Sequence, residues 1–594
     1  MEQELKSYRL DDLPLLYSVI KTLGIGACVN KYIKVHGNWS GSQPGEILEL
    51  WLCYILSQCD HRLSGAEEWA KKNLGLLRLL SDCAELSSQD FSDDKLGTLL
   101  DYFSEEPSWS KIETDINGSI LGVYRLSETV PLNTFRLDAA PMQSYGTIKE
   151  GGLLQYGYHK HHADLPQFKL KLCTLDNAVN HFAYPVCHLT VNGKMSDDEL
   201  YIPIIAKSKA VLSGVSGYEC GNLYVGDNKF GSIGNRLYVF KNKDYYLMPL
   251  SAVQFSKENR RAIIDEYEAA NYEKVFRTEK KKEVLVAQGF ELCEQIEVKT
   301  EEESKEKIYK WEERRMFVHS INYAKSQQNA LEKRLLTAQK NILELPKRKQ
   351  GKRVLKTRKE YQQAIDNILR TNKVEDLIRV KIKEKRTKIE KRAYGNRPKR
   401  TEIESEFELF CQREEQSIAQ SKKYMGWQVY ATNAPKNLLT FEKCVWKYRH
   451  QSNIESRFDD IRNKMAPLLP VFLQKDKRIE GLVNILLLAL KICSMLEYKI
   501  AKSLQDEKEL LYNVYEGNPK RGTDRPSAKR ILTAFEGISI SVIFDKGNFQ
   551  MALMTKLKPV QVKILELLGL DQQIYTGLAA KTKLFFSSKN FIET

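Results

Sequence analysis

The segment YRHQSNIESRFDDIR sets Tyr448, Gln451, Glu455 and Arg462 on one helical stripe at 3.6 residues per turn. Ile454, Phe458, Ile461 and Met465 make a second, apolar stripe that would anchor the same helix in a core. A carboxylate beside donors and cations, Arg457 among them, suits the holding of a metal ion against nucleic-acid phosphates. An ordinary solvated amphipathic helix has the same pattern, so this segment alone decides nothing. Two upstream aspartates add weight. Asn133 to Asp138 alternates Phe135 and Leu137 with Thr134, Arg136 and Asp138, which predicts a strand with Asp138 at its carboxyl end, before strand-breaking Pro141. The short apolar run Leu223 to Val225 ends at Gly226 and Asp227. Open α/β sheets put their chemistry just past strand carboxyl ends, although an aspartate there also serves as a helix cap.

These residues carry a resemblance. Asp138, Asp227 and Glu455 resemble the three acids of DDE transposases, in the insertion-sequence branch with a Tyr–Arg–Glu–Lys signature and an N-terminal helical domain. The segments GYHKHHADLPQ (157–167), VGDNKFGS (225–232), YYLMPLS (245–251), GWQVYATNAP (426–435) and YRHQSNIESRF (448–458) match in family order. Within the signature, Gln451 stands where Arg is usual and Arg462 where Lys is usual. The resemblance implies an α/β fold: a ribonuclease-H-like core interrupted by a large basic, mostly helical insertion, with an N-terminal helical domain and a small helical C-terminal tail. It implies that Asp138, Asp227 and Glu455 are catalytic and hold two Mg²⁺ ions, with Mn²⁺ as a substitute. Tyr448, Gln451, Arg457, Arg462 and Lys160 would contact DNA. The implied activity is cleavage and strand transfer at the element's ends. Its partners would be double-stranded DNA, as terminal inverted repeats and target, with a homodimer in the DNA complex. A decayed or domesticated DNA-binding protein stays open as the alternative, and a host nuclease sharing the core fits the ordered matches least.

Composition agrees with a polyanionic partner. The chain has 594 residues, enough for three or four domains, with 42% hydrophobic content and a formal net charge of +15. The N-terminus lacks a basic-then-apolar signal pattern, which predicts a protein that stays in the cytoplasm where it is made; the resemblance implies that this cytoplasm is prokaryotic and that the protein is nucleoid-associated when acting. No membrane partner is expected, because the apolar stretch Leu482 to Leu490 contains Asn484 and stops at Lys491. Eleven cysteines without a CxxC pair suit reduced thiols. His159, His161 and His162 match no common zinc spacing.

Residues 1–128 read as a helical domain, with apolar faces on Pro14 to Leu23, Pro44 to Gln58 and Gly65 to Leu74 and tryptophans expected in its core. Residues 129–255 form the first part of the core, with paired strands at Phe168 to Leu175 and Tyr184 to Val191 and a helix from about Pro203 to Leu212. Residues 256–435 form the basic insertion, with 379–392 read as a solvated helix or disordered run suited to phosphate contact; strands are expected at Gly426 to Thr432 and are allowed at Val284 to Val298 and Lys307 to His319. Residues 436–504 carry the third-acid helix and an apolar helix, Ile479 to Leu496. Residues 505–594 form a small appendage whose helix Lys558 to Leu568 ends at Gly569.

Overall fold

The computed structural model describes residues 3–124, 131–157, 165–176, 183–279, 282–302, 305–347, 354–391, 399–546 and 548–587. Apolar residues recurring every three or four positions make the N-terminal region helical. After strand β1 (Gln3–Arg9) come α1 (Leu13–Thr22), α2 (Ile25–Tyr32), α3 (Pro44–Gln58), α4 (Leu63–Ser81), α5 (Asp93–Phe103) and α6 (Glu106–Tyr124). Pro14 and Pro44 lie in first turns, where a missing N–H leaves no bond unmade. Trp51, Trp69 and Trp109 are buried, as core packing requires.

Period-two alternation then produces β2 (Thr134–Gln143), β3 (Gln167–Asp176) and β4 (Ala183–Asn192), which pair antiparallel in sequence. Helix α7 (Tyr201–Val211) leads to β5 (Leu223–Val225), α8 (Ile233–Lys241) and β6 (Tyr245–Pro249), with β5 parallel to both β2 and β6. Strand β2 does not end before Pro141; it runs to Gln143, because only β3 pairs with it beyond Arg136 and the other edge tolerates proline there.

The block after α9 (Lys257–Glu266) is richer in strands than expected. It holds β7 (Glu273–Glu279), β8 (Lys282–Glu302), β9 (Lys305–Ser320), α10 (Ile321–Leu343), α11 (Arg358–Asn372), β10 (Ile378–Lys391), β11 (Arg400–Arg413), α12 (Glu415–Lys423) and β12 (Trp427–Thr432). The expectation of a mostly helical insertion is therefore corrected. The run from Arg379 is a strand because Ile378 and Ile382 are buried and alternate with exposed Arg379, Lys381 and Lys383. Strands β12, β9, β8 and β7 extend the first sheet into nine strands, ordered β4-β3-β2-β5-β6-β12-β9-β8-β7.

The chain then forms α13 (Phe441–Arg449), α14 (Ser452–Asn463) and the 32-residue α15 (Asp476–Glu507). By length and composition α15 is apolar enough to cross a membrane, but 94% of its apolar window is buried inside the protein, where it serves as the central core helix. Two of its buried polar residues are satisfied internally: Asn484 donates to Phe103 O at 2.8 Å, and Lys491 Nζ donates to Asn117 Oδ1 at 2.7 Å and Val186 O at 2.9 Å. Gly481 lets α15 press against α5, since a Cβ there would lie 2.1 Å from Leu100 O. Gly481→Ala gains about 0.5–1 kcal/mol of helix propensity, but overpacking against rigid backbone costs about 1–3 kcal/mol or more. A net loss is expected, read as a lower denaturation midpoint.

The tail comprises α16 (Ala528–Thr533), β13 (Ser539–Asp545), β14 (Asn548–Met554), α17 (Pro559–Leu568) and α18 (Gln573–Ser587). Gly569 caps α17 in the left-handed conformation at φ 72°. The two strands depart from the helical tail expected. Strand β13 lies between β1 and β14, so the tail is knitted onto the N-terminal layer. At that junction Asp12 is buried and accepts from Ser57 Oγ at 2.7 Å. Burial, with Asp11 and Glu536 adding repulsion, pushes its carboxyl up to about 6 against the opposing Ser57 bond. A carboxyl raised on folding destabilises as pH rises from its unfolded value through its folded one. Asp12→Asn is therefore expected to stabilise the protein by up to about 2–3 kcal/mol at pH 8 and hardly at pH 4, measured by denaturant titration at both.

Candidate active site

The sheet register brings the two aspartates level. Arg136 on β2 pairs in parallel with Val225 on β5, and Asp138 and Asp227 each stand two residues further along. Helix α14, with Glu455 exposed in its first turn, packs against β2, β3 and β4 through Ile454, Phe458 and Ile461, all buried. Asp138 is half-buried, and its Oδ1 accepts from Ala139 N at 2.8 Å. Burial raises its carboxyl to about 6; Asp227 and Glu455 push the same way, while the Ala139 N–H and Lys171 oppose them. The three acids thus lie within electrostatic reach of one another.

Asp227 is held by a local scaffold. Its Oδ1 accepts from Tyr201 Oη at 2.6 Å and from Lys229 N at 3.0 Å. A Cβ at Gly226 would come within 2.9 Å of the Tyr201 ring and 3.0 Å of Phe230, so glycine permits this close turn. Two residues here were missed in the sequence. Tyr201, whose hydroxyl is raised by burial and then by Asp227, fixes the aspartate. Lys171 on β3 is 1% exposed, with Nζ 3.4 Å from the Tyr201 ring centre. Burial lowers its ammonium to about 8 even though Asp138, Asp227 and Asp197 favour the charge. The signal was available: Lys171 interrupts the apolar stretch of QFKLKLCTLD, and a lysine buried mid-strand needs anionic neighbours. Asp197 spans Lys169 at 2.6 Å and Lys229 at 2.7 Å beside it.

The expected phosphate-contacting residues divide. Tyr448 and Glu455 do not share a helix, because the chain turns between α13 and α14 with Gln451 at the capping position of α14. Tyr448 still lies near the acids: burial raises its hydroxyl to about 12, and Asp227, Asp138 and Glu455 add to the rise. Its ring meets Tyr430 at a centroid distance of 4.5 Å. Gln451 and Arg462 are half-buried, with the Arg462 guanidinium 6.0 Å from the Phe458 ring centre. Arg457 is corrected. It is buried between α14 and α15, paired with Glu497 at 2.7 Å and Asp460 at 3.2 Å, where it joins the helices instead of facing a phosphate. Lys160, like His159, His161 and His162, lies outside the described residues. Asp459 pairs with Lys464 at 3.1 Å.

Among the described residues, no three His, Cys, Asp or Glu side chains are grouped so as to hold a metal ion as they stand. In chemistry, an all-carboxylate donor set is the kind that hard divalent cations take. The raised carboxyl of Asp138, due first to burial and then to its acidic neighbours, is a site that a cation would relieve.

No family model matches the chain, and no curated protein matches it. Among solved structures it is similar to a piggyBac transposase synaptic complex with hairpin DNA, at 12% identity and a TM-score of 0.23, over 52% of this chain and 63% of that one. The chain thus spans less than two thirds of that protein's length. At that TM-score the likeness is no guide to fold or activity.

Proposed function

We propose that the protein is a DNA transposase of the DDE type, built on a ribonuclease-H-like core and acting on the ends of its own element. The observation that carries this reading is the placement of Asp138 on β2 and Asp227 just past the end of β5, each two residues beyond the last registered pair of these adjacent parallel strands, with the Glu455 helix packed on the same sheet. Three antiparallel strands, a helix and a parallel strand are the order in which a ribonuclease-H-like sheet begins, and they occur here as β2 to β5.

Asp138, Asp227 and Glu455 would hold Mg²⁺ or Mn²⁺. Bound in a pair, such ions stabilise both the attacking and the leaving oxygen of an in-line phosphoryl displacement. The chain's own residues do the rest. Tyr201 and the Lys229 N–H fix the rotamer of Asp227, and Lys171 sets a positive charge beneath the acids. Tyr448 and Arg462 lie beside Glu455 in sequence and would orient the scissile strand, with water attacking in cleavage and a freed 3′-hydroxyl in strand transfer. Holding two terminal repeats and a target at once calls for a homodimer on DNA, in the cytoplasm of a prokaryote.

The test is incubation of the protein with labelled duplexes carrying the gene's flanking ends, with Mg²⁺ and in parallel with Mn²⁺. End-specific cleavage is expected. Binding without cleavage by well-folded protein would move the reading to a decayed DNA-binding relative.

A further inference from the structure

Residues 321–425 contain 28 Lys and Arg against 14 Asp and Glu, a net +14. The whole chain has 92 against 77, so the remaining 489 residues have 64 against 63, a net +1. Nearly all the excess charge sits in one segment, inserted between β9 and β12. That segment also has its own hydrophobic cluster, separate from the cores around the sheet: Leu335 and Ile342 on α10 and Ile365 on α11 pack against Ile382 on β10 and Phe407 and Leu409 on β11.

The ribbon β10–β11 is a two-stranded sheet on its own, antiparallel from Ile378 opposite Arg413 to Lys391 opposite Arg400. Its inner face meets the helices. On its outer face β10 carries Arg379, Lys381, Lys383 and Lys385, all exposed. Side chains on one face of a strand recur every ~6.6–6.8 Å, so this row is about 20 Å long. Paired with these positions on β11 are Gln412, Phe410, Glu408 and Glu406. Negative charge on β11 is therefore confined to Glu408 and Glu406, about 5 Å across from Lys383 and Lys385, while Arg379 at the other end pairs with Glu414 at 2.9 Å.

We propose that this segment is a sequence-independent docking module for duplex DNA, with the outer edge of β10 laid along one sugar-phosphate backbone. Because the backbone winds around the axis, which it climbs by 3.4 Å per phosphate, successive phosphates on one strand stand roughly 7 Å apart, close to the spacing of the row, so about 20 Å meets roughly three or four of them. The two glutamates decide the mode of binding. Deep entry into a groove would press Glu406 and Glu408 toward phosphates, and a flat anionic membrane would meet both strands together. A narrow line of phosphates can engage the β10 edge alone. Lysines there act as point charges and do not read bases in bidentate fashion. The module can bind DNA whether or not the acids cut it, so it stands apart from the cleavage reading.

The test uses the full chain and a duplex unrelated to the gene's ends, with binding followed by fluorescence anisotropy across a salt series. Every phosphate no longer neutralised by the protein lowers the slope of log K against log salt by ~0.9. Replacing Arg379, Lys381, Lys383 and Lys385 with Gln is expected to lower the slope by about 3 and weaken low-salt binding at least about tenfold. A control with Lys71, Lys72, Lys299 and Lys310 replaced by Gln is expected to bind like wild type. Lys381→Gln with Lys383→Gln, a smaller change on the same exposed outer face, lowers the slope by about 1–2 and keeps the test alive if the fourfold variant misfolds. Unchanged slopes in folded variants overturn the proposal. So does an equal loss in the control, a loss confined to the gene's own ends, or a loss of binding to phosphatidylserine vesicles with DNA binding intact.

Discussion

Asp227→Ala is expected to reduce end-specific cleavage by at least about a hundredfold, since even a residue that only supports a metal ligand commonly contributes ten- to a hundredfold. Duplex binding is expected to persist, because the positive charge resides in residues 321–425 and not around the acids. The substitution also strips Tyr201 Oη of the acceptor it meets at 2.6 Å, a loss of about 1 kcal/mol in stability. Asp227→Asn separates charge from geometry. It keeps an oxygen for Tyr201 and the Lys229 N–H but removes the negative charge, so cleavage should fall while the melting midpoint stays near wild type. Labelled-duplex cleavage with Mg²⁺ beside thermal melts gives both readouts. Wild-type cleavage by either variant would sink the assignment of Asp227.

The largest expected effect on stability comes from Lys491. It is buried on α15, 3.5 Å from Glu113 on α6, and also bonds Asn117 and Val186, so it joins the N-terminal layer, the sheet and the central helix. Lys491→Met preserves volume but leaves the buried Glu113 with Lys207, at 3.9 Å, as its one remaining ion-pair partner among the described residues. Breaking a buried pair from one side costs about 3–5 kcal/mol. Adding Glu113→Gln removes the stranded charge and is expected to recover more than half of the loss, as a non-additive double-mutant cycle in denaturant. Additive losses would show that the two side chains are not coupled.

Legibility followed local pattern. Alternation at Phe135 and Leu137 revealed β2, and matching runs revealed β3, β4 and β12. The buried stripe Ile454, Phe458, Ile461 and Met465 was readable from spacing alone. Tertiary facts were not. The turn at Gln451 interrupts a stripe that looks continuous in sequence, and Arg457 faces Glu497, forty residues away on another helix. Charge hid other strands: Lys and Glu dominate β10 and β11, although Ile378, Val380 and Ile382 keep period two. Ile540, Val542 and Phe544 alternate just as clearly in β13, but its partner β1 lies at the far end of the chain.

That pairing sets an order of assembly. Arg9 pairs with Ser539, so β1 cannot find its neighbour until nearly the whole chain has left the ribosome. At bacterial-to-eukaryotic elongation rates of ~5–20 residues per second, the wait is on the order of half a minute to two minutes. During synthesis the helices that follow β1 can pack while β1 itself remains an open edge. A nascent chain interrupted before residue 539 keeps that edge exposed, which gives holding chaperones or proteases a physical mark by which to distinguish an incomplete copy from a finished one.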